Sequence, residues 1–443
     1  MLTHCFYGLI FFLISFAIKA QGYHPHHLFI KMKKDIPLGK SLHIEEVTPL
    51  IPDLYLVKTN NLSELEEEVI GWEIEYIQRD QIHDRGPLPE LISDKNIKNQ
   101  KELSSVSFND EFIHRLWAFD GPWGMNVSRA YSNLPPRKAQ EVIVAVVDTG
   151  VDYNHEDLKN IMWRNPGEIP GDGIDNDGNG YVDDVYGINT VVRTRFSRKA
   201  TSDPMGSHWH GTHVAGTIAA QVNNGIGIAG IAHNARIMAI RSVPDSSHET
   251  DSNIIESFLY AAKNGARVIN CSFGKPKTEG LAVRDVINSI GKQYGVLVVA
   301  ASGNNSMGPL RWHDIDSNPQ YPASFDSPNL ITVAATNNKG NLASFSNIGK
   351  RSVHLTAPGN NIFSTVKNNK YSSSSGTSMA TPYVSGAAAM LLGYFPEFTP
   401  EEIKEILMGS VRKSQQLEGK IKSPGILDLA AALEAATNGR EAR

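Results

Sequence analysis

Three residues whose side-chain types together perform nucleophilic catalysis are spread along the chain, each inside a short motif. Asp148 follows the apolar run VIVAVV in VVDTG, His210 lies in HGTHVAGT, and Ser378 lies in SSSGTSMATP. A serine hydroxyl is a weak nucleophile at neutral pH and needs an imidazole base. That imidazole needs a carboxylate, which orients it and stabilises its cationic form. The three motifs therefore indicate acyl-transfer chemistry on a serine.

Each motif also has another interpretation when it is taken alone. Aspartic proteases place a catalytic Asp in DTG, but they need two such carboxylates, and the chain has no second DTG or DSG. His208, His210 and His213 form a cluster that could bind zinc, but HxxH lacks the Glu of the HExxH signature. Four serines precede the GTS motif and are compatible with a polar loop. The apolar sequence after Ser378 instead predicts a helix, whose first amides can stabilise an oxyanion.

The segments that must position these motifs alternate between strand-like and helical patterns from about residue 108. The runs lie at 142–147, 213–221, 235–240, 253–262, 267–273, 283–295, 296–301 and 330–335. Strands that are apolar throughout and separated by helices predict an α/β fold with a parallel sheet covered on both faces. The motifs fall in loops at strand ends, where functional sites form in such sheets.

The first 107 residues have a different pattern. Residues 6–18 form an uncharged apolar run that is typical of a secretory signal, and we expect residues 1–20 to be that signal. An uncleaved membrane anchor is the alternative, and no other segment is long and apolar enough to span a membrane. Residues 28–80 indicate a small α/β unit, and residues 81–107, with two prolines, indicate a linker.

Charge and cysteine content limit the partners and the source of stability. The net charge of −5 and the pI near 6.3 argue against nucleic-acid binding. Of the two cysteines, Cys5 lies in the expected signal, so Cys271 would stand alone in an exported protein. A disulfide framework is therefore not expected, and a bound metal is the first candidate for extra stabilisation.

One metal-binding candidate is the acidic loop DGIDNDGNGYVDD at residues 172–184. Its spacing matches half of an EF-hand loop, with Gly180 at the sharp turn and Tyr186 where the bidentate Glu would stand. A solvated acidic turn is the alternative. The candidate oxygen ligands are Asp175, Asp177, Asn179, the carbonyl of Tyr181, and Asp183.

Residues from about 108 to 435 resemble the subtilisin-like serine peptidases of the subtilase family. The resemblance rests on six ordered motifs, VVDTGVDYNHEDL, HGTHVAGT, VINCSFG, VVAASGN, YPAS and GTSMATP. It implies a three-layer fold with a mostly parallel sheet, in which Asp148 orients, His210 acts as general acid and base, and Ser378 is the nucleophile. It also assigns Asn304 of VVAASGN to the oxyanion hole, a residue that would otherwise pass for a turn asparagine. His213 is then expected to be structural.

The resemblance implies a second metal site, in the loop VNNGIGIAG at residues 222–230. Hard oxygen ligands without cysteine suit Ca²⁺ rather than zinc. The implied ligands are Asn224, the carbonyls of Val222, Ile226 and Ile228, the carboxylate of Asp157 in HEDL, and that of Asp110 in FNDEF.

The resemblance also implies a division into a signal at 1–20, a propeptide at 21–107 and a catalytic domain at 108–443. A propeptide assists folding and blocks the active site until it is cut away, and we expect the cut between about Asp80 and Phe108. A permanent accessory domain is the alternative. Broad proteolysis inside the producing cell would be damaging, which gives an independent reason for such an inhibitor.

The sequence therefore predicts a calcium-stabilised serine endopeptidase, secreted or periplasmic. We expect a monomer that acts on protein or peptide substrates and has no membrane span once the signal is removed. One departure from the family concerns specificity, because SFGK replaces the commoner SLGG and Lys275 is expected to narrow or charge a subsite. Two other functions stay open: a catalytically silent binding or inhibitory protein, and a peptide ligase.

Overall fold

The structure is a computed structural model in which most of the chain after the expected signal is described. The described residues are 22–33, 41–83, 88–92, 108–193, 200–245, 249–276, 280–304 and 313–441. The expected signal at residues 1–20 lies outside them. Within the described ranges, no helix is long and apolar enough to cross a membrane.

The elements follow one another in an order that separates a short N-terminal unit from a larger α/β part. The strands are β1 Gly22–Met32, β2 Ile44–Ile51, β3 Leu54–Thr59, β4 Ile74–His83, β5 Leu91–Ile92, β6 Val142–Asp148, β7 Gly187–Arg193, β8 Ala200–Thr201, β9 Ala235–Arg241, β10 Glu249–Thr250, β11 Ala266–Cys271, β12 Lys275–Pro276, β13 Leu297–Ala301, β14 Gln320–Tyr321, β15 Leu330–Thr336, β16 Leu355–Pro358, β17 Ile362–Val366, β18 Lys370–Ser374, β19 Val411–Lys413 and β20 Gly425–Leu427. The helices are α1 Leu62–Val69, α2 Val127–Ser132, α3 His210–Ala219, α4 Asp251–Lys263, α5 Leu281–Tyr294, α6 Thr377–Tyr394, α7 Pro400–Gly409 and α8 Leu429–Glu441.

The N-terminal unit supplies four strands of an antiparallel sheet, and β10 of the larger part adds a fifth, in the order β10-β4-β1-β3-β2. Leu28, Ile30 and Val57 of this sheet pack with Leu65 and Val69 of α1 in a small core of its own. The strands and the helix predicted within residues 28–80 are present. Strand β2 is an additional edge strand that the sequence did not indicate, because its residues are mostly exposed and lack an apolar alternation.

Strand β4 attaches the N-terminal unit to the larger part. Two of its side chains, Gln78 and Asp80, accept hydrogen bonds from helix N-termini of the larger part. The Asp80 carboxylate accepts a hydrogen bond of 3.1 Å from the amide of Ser252, in the first turn of α4. The Gln78 side-chain oxygen accepts one of 3.2 Å from the amide of Ala282, in the first turn of α5. First-turn amides have no partner in their own helix, so these two side chains satisfy donors that would otherwise need water.

The larger part is built on a ten-stranded sheet with the order β19-β20-β16-β15-β13-β11-β6-β9-β7-β8. All pairs from β20 to β7 are parallel, whereas β19 and β8 pair antiparallel at the two edges. A parallel sheet needs crossover segments on its faces, and helices supply them here.

Alternate residues of the central strand β6 contribute to two different apolar layers. Val144 and Val146 belong to the core that includes α3 and α6, whereas Ala145 and Val147 belong to the core that includes α4 and α5. The three-layer α/β fold with a mostly parallel sheet, which was predicted from the apolar runs and the motifs, is confirmed.

Two parts of the segment predicted to be a linker, residues 81–107, form strands instead. Strand β4 continues to His83, and Leu91 and Ile92 form β5, which pairs with Ser374 and Ser373 of β18. These short pairings join segments distant in sequence, so a local pattern could not indicate them.

Candidate active site

A buried hydrogen bond joins Asp148 and His210. The Nδ1 atom of His210 lies 2.8 Å from Oδ1 of Asp148, and the amide of Thr149 donates to the same oxygen at 2.7 Å. Because Nδ1 donates its proton in this bond, the lone pair of the neutral ring lies on Nε2. That Nε2 atom is buried without a hydrogen-bond partner among the described residues. It is therefore placed to take up a proton.

The order of the strands brings these two residues together. Strand β6 lies between β9 on one side and β11 on the other, so the direction of the chain's progress across the sheet reverses at β6. Such a reversal opens a crevice at the carboxyl ends of the strands. Asp148 is the last residue of β6 and His210 is the first residue of α3, so both lie at this crevice.

Glycines permit the close backbone contacts around this pair. A Cβ on Gly211 would lie 2.2 Å from the carbonyl oxygen of Gly150. A Cβ on Gly150 would lie 2.3 Å from the carbonyl oxygen of Pro204, and Gly150 has a φ of +90°. Side chains do not fit at either position, which accounts for glycine in DTG and in HGTH.

Ser378 is held by a reciprocal pair of hydrogen bonds with Ser272. The Ser378 hydroxyl donates to the carbonyl of Ser272 at 2.9 Å, and the Ser272 hydroxyl donates to the carbonyl of Ser378 at 3.0 Å. Pro382, four residues after Ser378 in α6, has no N–H for that carbonyl, and Ser272 replaces the missing helical bond. The structure thus bonds Asp148 to His210 and places Ser378 at the start of α6, which packs against α3.

The Asn304 side chain has a defined orientation next to the start of α6. Its Oδ1 atom accepts hydrogen bonds of 2.9 Å from both the amide and the hydroxyl of Thr377. Since Oδ1 is identified by these two donors, the other end of the amide is the Nδ2 donor. That Nδ2 atom would lie 3.3 Å from a Cβ on Gly376, so it lies beside the helix N-terminus that carries Ser378.

The neighbouring histidines have backbone partners. His213 Nε2 lies 3.0 Å from the carbonyl of Ile362, and burial, with His210 close by, lowers the pKa of His213 to about 3. The Nδ1 atom of His208 accepts from the amide of His210 at 3.2 Å. Throughout the described ranges, the one group of three or more His, Cys, Asp or Glu side chains whose ligand atoms lie within 4.8 Å of one another contains no histidine. The zinc alternative therefore finds no support in the geometry.

The calcium loop implied by the family resemblance surrounds Asp157. Asn224 Nδ2 donates to one oxygen of Asp157 at 2.8 Å, and the amide of Ile228 donates to the other at 2.9 Å. Asp110 accepts from the amides of Asn223 and Asn224 at 3.1 and 3.3 Å. In the described chain, no backbone hydrogen bond ends on the carbonyls that would be further ligands, those of Val222, Ile226 and Ile228.

The charges at this loop favour a cation. Burial raises the pKa of Asp157 to about 6, against hydrogen bonds from Ile228 and Asn224 that lower it, and the charge of Asp110 adds to the rise. Burial also raises the pKa of Asp110. Two buried carboxylates beside carbonyls without amide partners form a donor set that fits Ca²⁺.

The acidic loop brings a different set of carboxylates together than its sequence spacing indicates. Glu168, Asp175 and Asp177 can each offer an oxygen such that the three atoms lie within 4.8 Å of one another. Glu168 was not among the predicted ligands. It precedes the loop and is held by amides of Asn176 at 2.9 Å and of Asp183 at 2.9 Å, contacts that no spacing rule reveals.

The other candidates in this loop have backbone partners. The Asp183 carboxylate accepts from the amides of Gly171 and Gly173, at 2.6 and 3.0 Å, so it is turned toward a neighbouring turn. Asn179 Oδ1 accepts from the amide of Tyr181 at 2.8 Å. Asp175 and Asp177 also accept from the amides of Asn179 and Gly180, so the group with Glu168 is distinguished by the closeness of its three carboxylate oxygens. Calcium at this acidic cluster is a proposal.

Two described parts of the N-terminal segment pair with strands near the candidate active site. On one side, Ile82 and His83 at the end of β4 pair with Thr250 and Glu249 of β10. On the other side, β5 pairs with β18, and Ser374 Oγ donates to the carbonyl of Glu90 at 2.9 Å. Between them, the ring of Pro89 packs against Gly376, where a Cβ would lie 3.1 Å from the proline Cγ. The described residues 82–83 and 88–92 of the N-terminal segment therefore contact β10, β18 and Gly376, and Gly376 lies two residues before Ser378.

The packing around Gly150 can be tested by substitution. Gly150→Ala should lower the free energy of unfolding by about 2 kcal/mol or more, because of the positive φ and the contact with Pro204. Gly409→Ala is the matched control, since nothing lies within 4 Å of a Cβ there. That control should change stability by less than about 1 kcal/mol. Denaturant titration measures both, and an equal small effect at the two positions would contradict the packing described.

Comparison with known proteins places this geometry in a family. A model of the subtilase family matches residues 139–424. The chain is 31% identical over 358 residues to Subtilisin-like protease 1 of Plasmodium berghei (strain Anka), covering 78% of this chain and 58% of that protein. It is 38% identical over 271 residues to a Thermophilic serine proteinase of Bacillus sp. (strain AK1), covering 61% of this chain and 56% of the relative. It is 32% identical over 360 residues to an Extracellular basic protease of Dichelobacter nodosus, with 74% and 56% covered.

A solved structure supports the same assignment. A protease from Pseudoalteromonas arctica aligns with a TM-score of 0.59 and 27% identity, covering 75% of this chain and 100% of that one. The chain spans about half the length of the curated relatives it matches. From the matched residues and the geometry together, the chain belongs to the subtilase family.

Proposed function

We propose that this protein is a secreted serine endopeptidase that hydrolyses peptide bonds in protein or peptide substrates. The observation that carries the proposal is the buried bond between Asp148 and His210, with Nε2 unpartnered in the described structure. Ser378 lies in the first turn of a helix that packs against the helix of His210. Membership of the subtilase family and the serine proteinase among the relatives support the same activity.

In the proposed reaction, Ser378 Oγ turns from the carbonyl of Ser272 toward His210 and attacks the carbonyl carbon of the peptide bond. His210 Nε2 takes the hydroxyl proton, and Asp148 stabilises the resulting imidazolium. The same proton then passes to the leaving amine, which gives an acyl-enzyme on Ser378. A water molecule, deprotonated by His210, hydrolyses that ester and restores the serine.

Two donors are placed for the negative oxygen of the tetrahedral intermediate. One is the amide of Ser378, since amides in the first turn of a helix have no intrahelical partner. The other is Asn304 Nδ2, whose orientation follows from the two bonds of Thr377 to Oδ1. A donor of this kind contributes on the order of 10²–10³ in turnover.

The N-terminal unit is proposed to be a propeptide that inhibits the enzyme until it is removed. It covers the starts of α4 and α5 through Asp80 and Gln78, and Pro89 farther along the chain contacts Gly376. The bond to be cut would lie between residues 83 and 91, because Pro89 in this interval contacts Gly376, two residues before Ser378, and the flanking strands pair with β10 and β18. This interval is narrower than the one expected from the sequence.

Calcium is proposed to stabilise the fold at two places. Asp157, Asp110 and Asn224, with the carbonyls of the 222–230 loop, would hold one ion, and Glu168, Asp175 and Asp177 would hold the other. Bound Ca²⁺ would neutralise the carboxylates and tie the loops to the core. Cys271 is a free, buried cysteine, so no disulfide supports the described domain.

Export and a monomeric state complete the proposal. Residues 1–20 would direct secretion, and the extracellular relative from Dichelobacter nodosus supports a location outside the cell. A periplasmic location is compatible with the same signal.

The catalytic assignment is tested by Ser378→Ala in the full-length chain. The variant should lose at least about 10⁴-fold in peptide hydrolysis. It should also stay uncut, whereas the unchanged chain should show a new N-terminus between residues 83 and 91. Peptide assays and intact-mass measurement with N-terminal sequencing give both readouts. Ser317→Ala, at an exposed site, is the control and should behave as the unchanged protein.

Retention of hydrolysis by Ser378→Ala would overturn the assignment. A folded, unchanged chain that cuts neither itself nor any peptide would instead favour the silent binding protein. Transfer of the acyl group to added amines in preference to water would favour a ligase.

Calcium dependence is tested through stability rather than activity. Binding at 100 times the dissociation constant stabilises a fold by about 2.7 kcal/mol. Excess chelator should therefore lower the unfolding temperature, and Asp157→Asn and Glu168→Gln should each reduce the calcium-dependent part. Glu434→Gln, at an exposed position of α8, is the control and should leave it unchanged. Identical unfolding curves in calcium and in chelator would exclude the calcium proposal.

A further inference from the structure

A buried ion pair joins two segments beside the candidate active site. Lys275 Nζ bonds to Oδ1 of Asp251, and the side chains of the two residues are 8% and 0% exposed. Lys275 lies in β12, three residues after Ser272, whose carbonyl accepts the hydroxyl of the candidate nucleophile. Asp251 is the first residue of α4, directly after β10. The ion pair therefore connects a segment that starts at the catalytic serine with one that begins at β10.

One of the two segments contacts the chain that precedes the bond proposed to be cut. Strand β10 pairs with residues 82 and 83, which enter the site ahead of Pro89. Strand β12 is paired on one edge with β14, through Lys275 with Tyr321 and Pro276 with Gln320. The ion pair links β12, which follows Ser272, to the start of α4, which follows β10.

The surroundings of Asp251 stabilise its negative charge. In the uncut chain the second oxygen of Asp251 accepts a bond of 3.1 Å from Gln78 Nε2. Gln78 belongs to the N-terminal unit, so in the processed enzyme the bond from Lys275 is the one of these two that remains. Asp251 also stands at the N-terminus of a 13-residue helix, where the dipole favours a negative charge. A buried charge without its partner is strongly unfavourable, so the pair resists separation of the two segments.

We propose that Lys275 and Asp251 are positioning residues. They would hold β12 and the segment of β10 at the separation required by an extended peptide substrate. Neither touches the reacting atoms. They act on substrate residues several positions before the cut bond, and so on long substrates more than on short ones. The inference rests on the proposed endopeptidase function, and it gives a physical role to the lysine of SFGK, where the family more often has SLGG.

The test compares two substrates in one assay on the processed enzyme. One is a peptide with six residues before the cut bond, and the other has a single acylated residue before the same leaving group. For Lys275→Met, kcat/KM on the long substrate should fall between about tenfold and 100-fold more than on the short one, as misplacement of a bound substrate allows. Lys275→Arg, which keeps the charge, should recover part of that difference. Lys263→Met, at the exposed end of α4, is the control and should show no difference.

A second variant covers the case in which Lys275→Met does not fold because the charge of Asp251 has lost its cation. Lys275→Met combined with Asp251→Asn removes both charges. In this double variant, kcat/KM should still fall more on the long substrate than on the short one. Equal losses on both substrates, or no loss on either, would overturn the positioning role. If the unchanged enzyme hydrolyses neither substrate, the proposed function itself fails, which is a different outcome from a failure of the positioning role alone.

Discussion

The hydrogen bond between His210 and Asp148 is the interaction on which the rest of the site depends. It is buried at the end of the central strand, and it leaves one ring nitrogen directed away from the carboxylate. Such a bond needs a carboxylate held against solvent and an imidazole held in one tautomer. The parallel sheet supplies the first by ending β6 at Asp148, and the start of α3 supplies the second.

The remaining polar contacts keep other groups available for chemistry. Pro382 removes a helical bond from the Ser378 carbonyl, and Ser272 compensates by donating its hydroxyl. Thr377 uses two donors to fix Asn304, which leaves the nitrogen of that amide for a ligand. Side chains of the N-terminal unit likewise accept hydrogen bonds from backbone amides at the starts of α4 and α5. Removing it would expose these donors together with the cleft.

Local sequence patterns were sufficient for the main sheet and for the candidate catalytic residues. Asp148 follows an apolar run and Ser378 precedes one, so strand end and helix start could both be predicted. Features that depend on distant pairings could not. Glu168 joins the acidic cluster through amides of the loop that follows it, and the Lys275–Asp251 pair joins residues 24 apart. Strands β5 and β10 have two residues each and exist only because a distant segment pairs with them.

The central claim is that Ser378, activated by His210, is the nucleophile of a peptidase. Covalent labelling with diisopropyl fluorophosphate tests it most directly, because the reagent phosphorylates an activated serine. After removal of the N-terminal unit, peptide mapping should locate one adduct per molecule on Ser378, with loss of hydrolysis in parallel, and His210→Ala should abolish the labelling. An adduct on another serine, or hydrolysis that persists in fully labelled protein, would contradict the account.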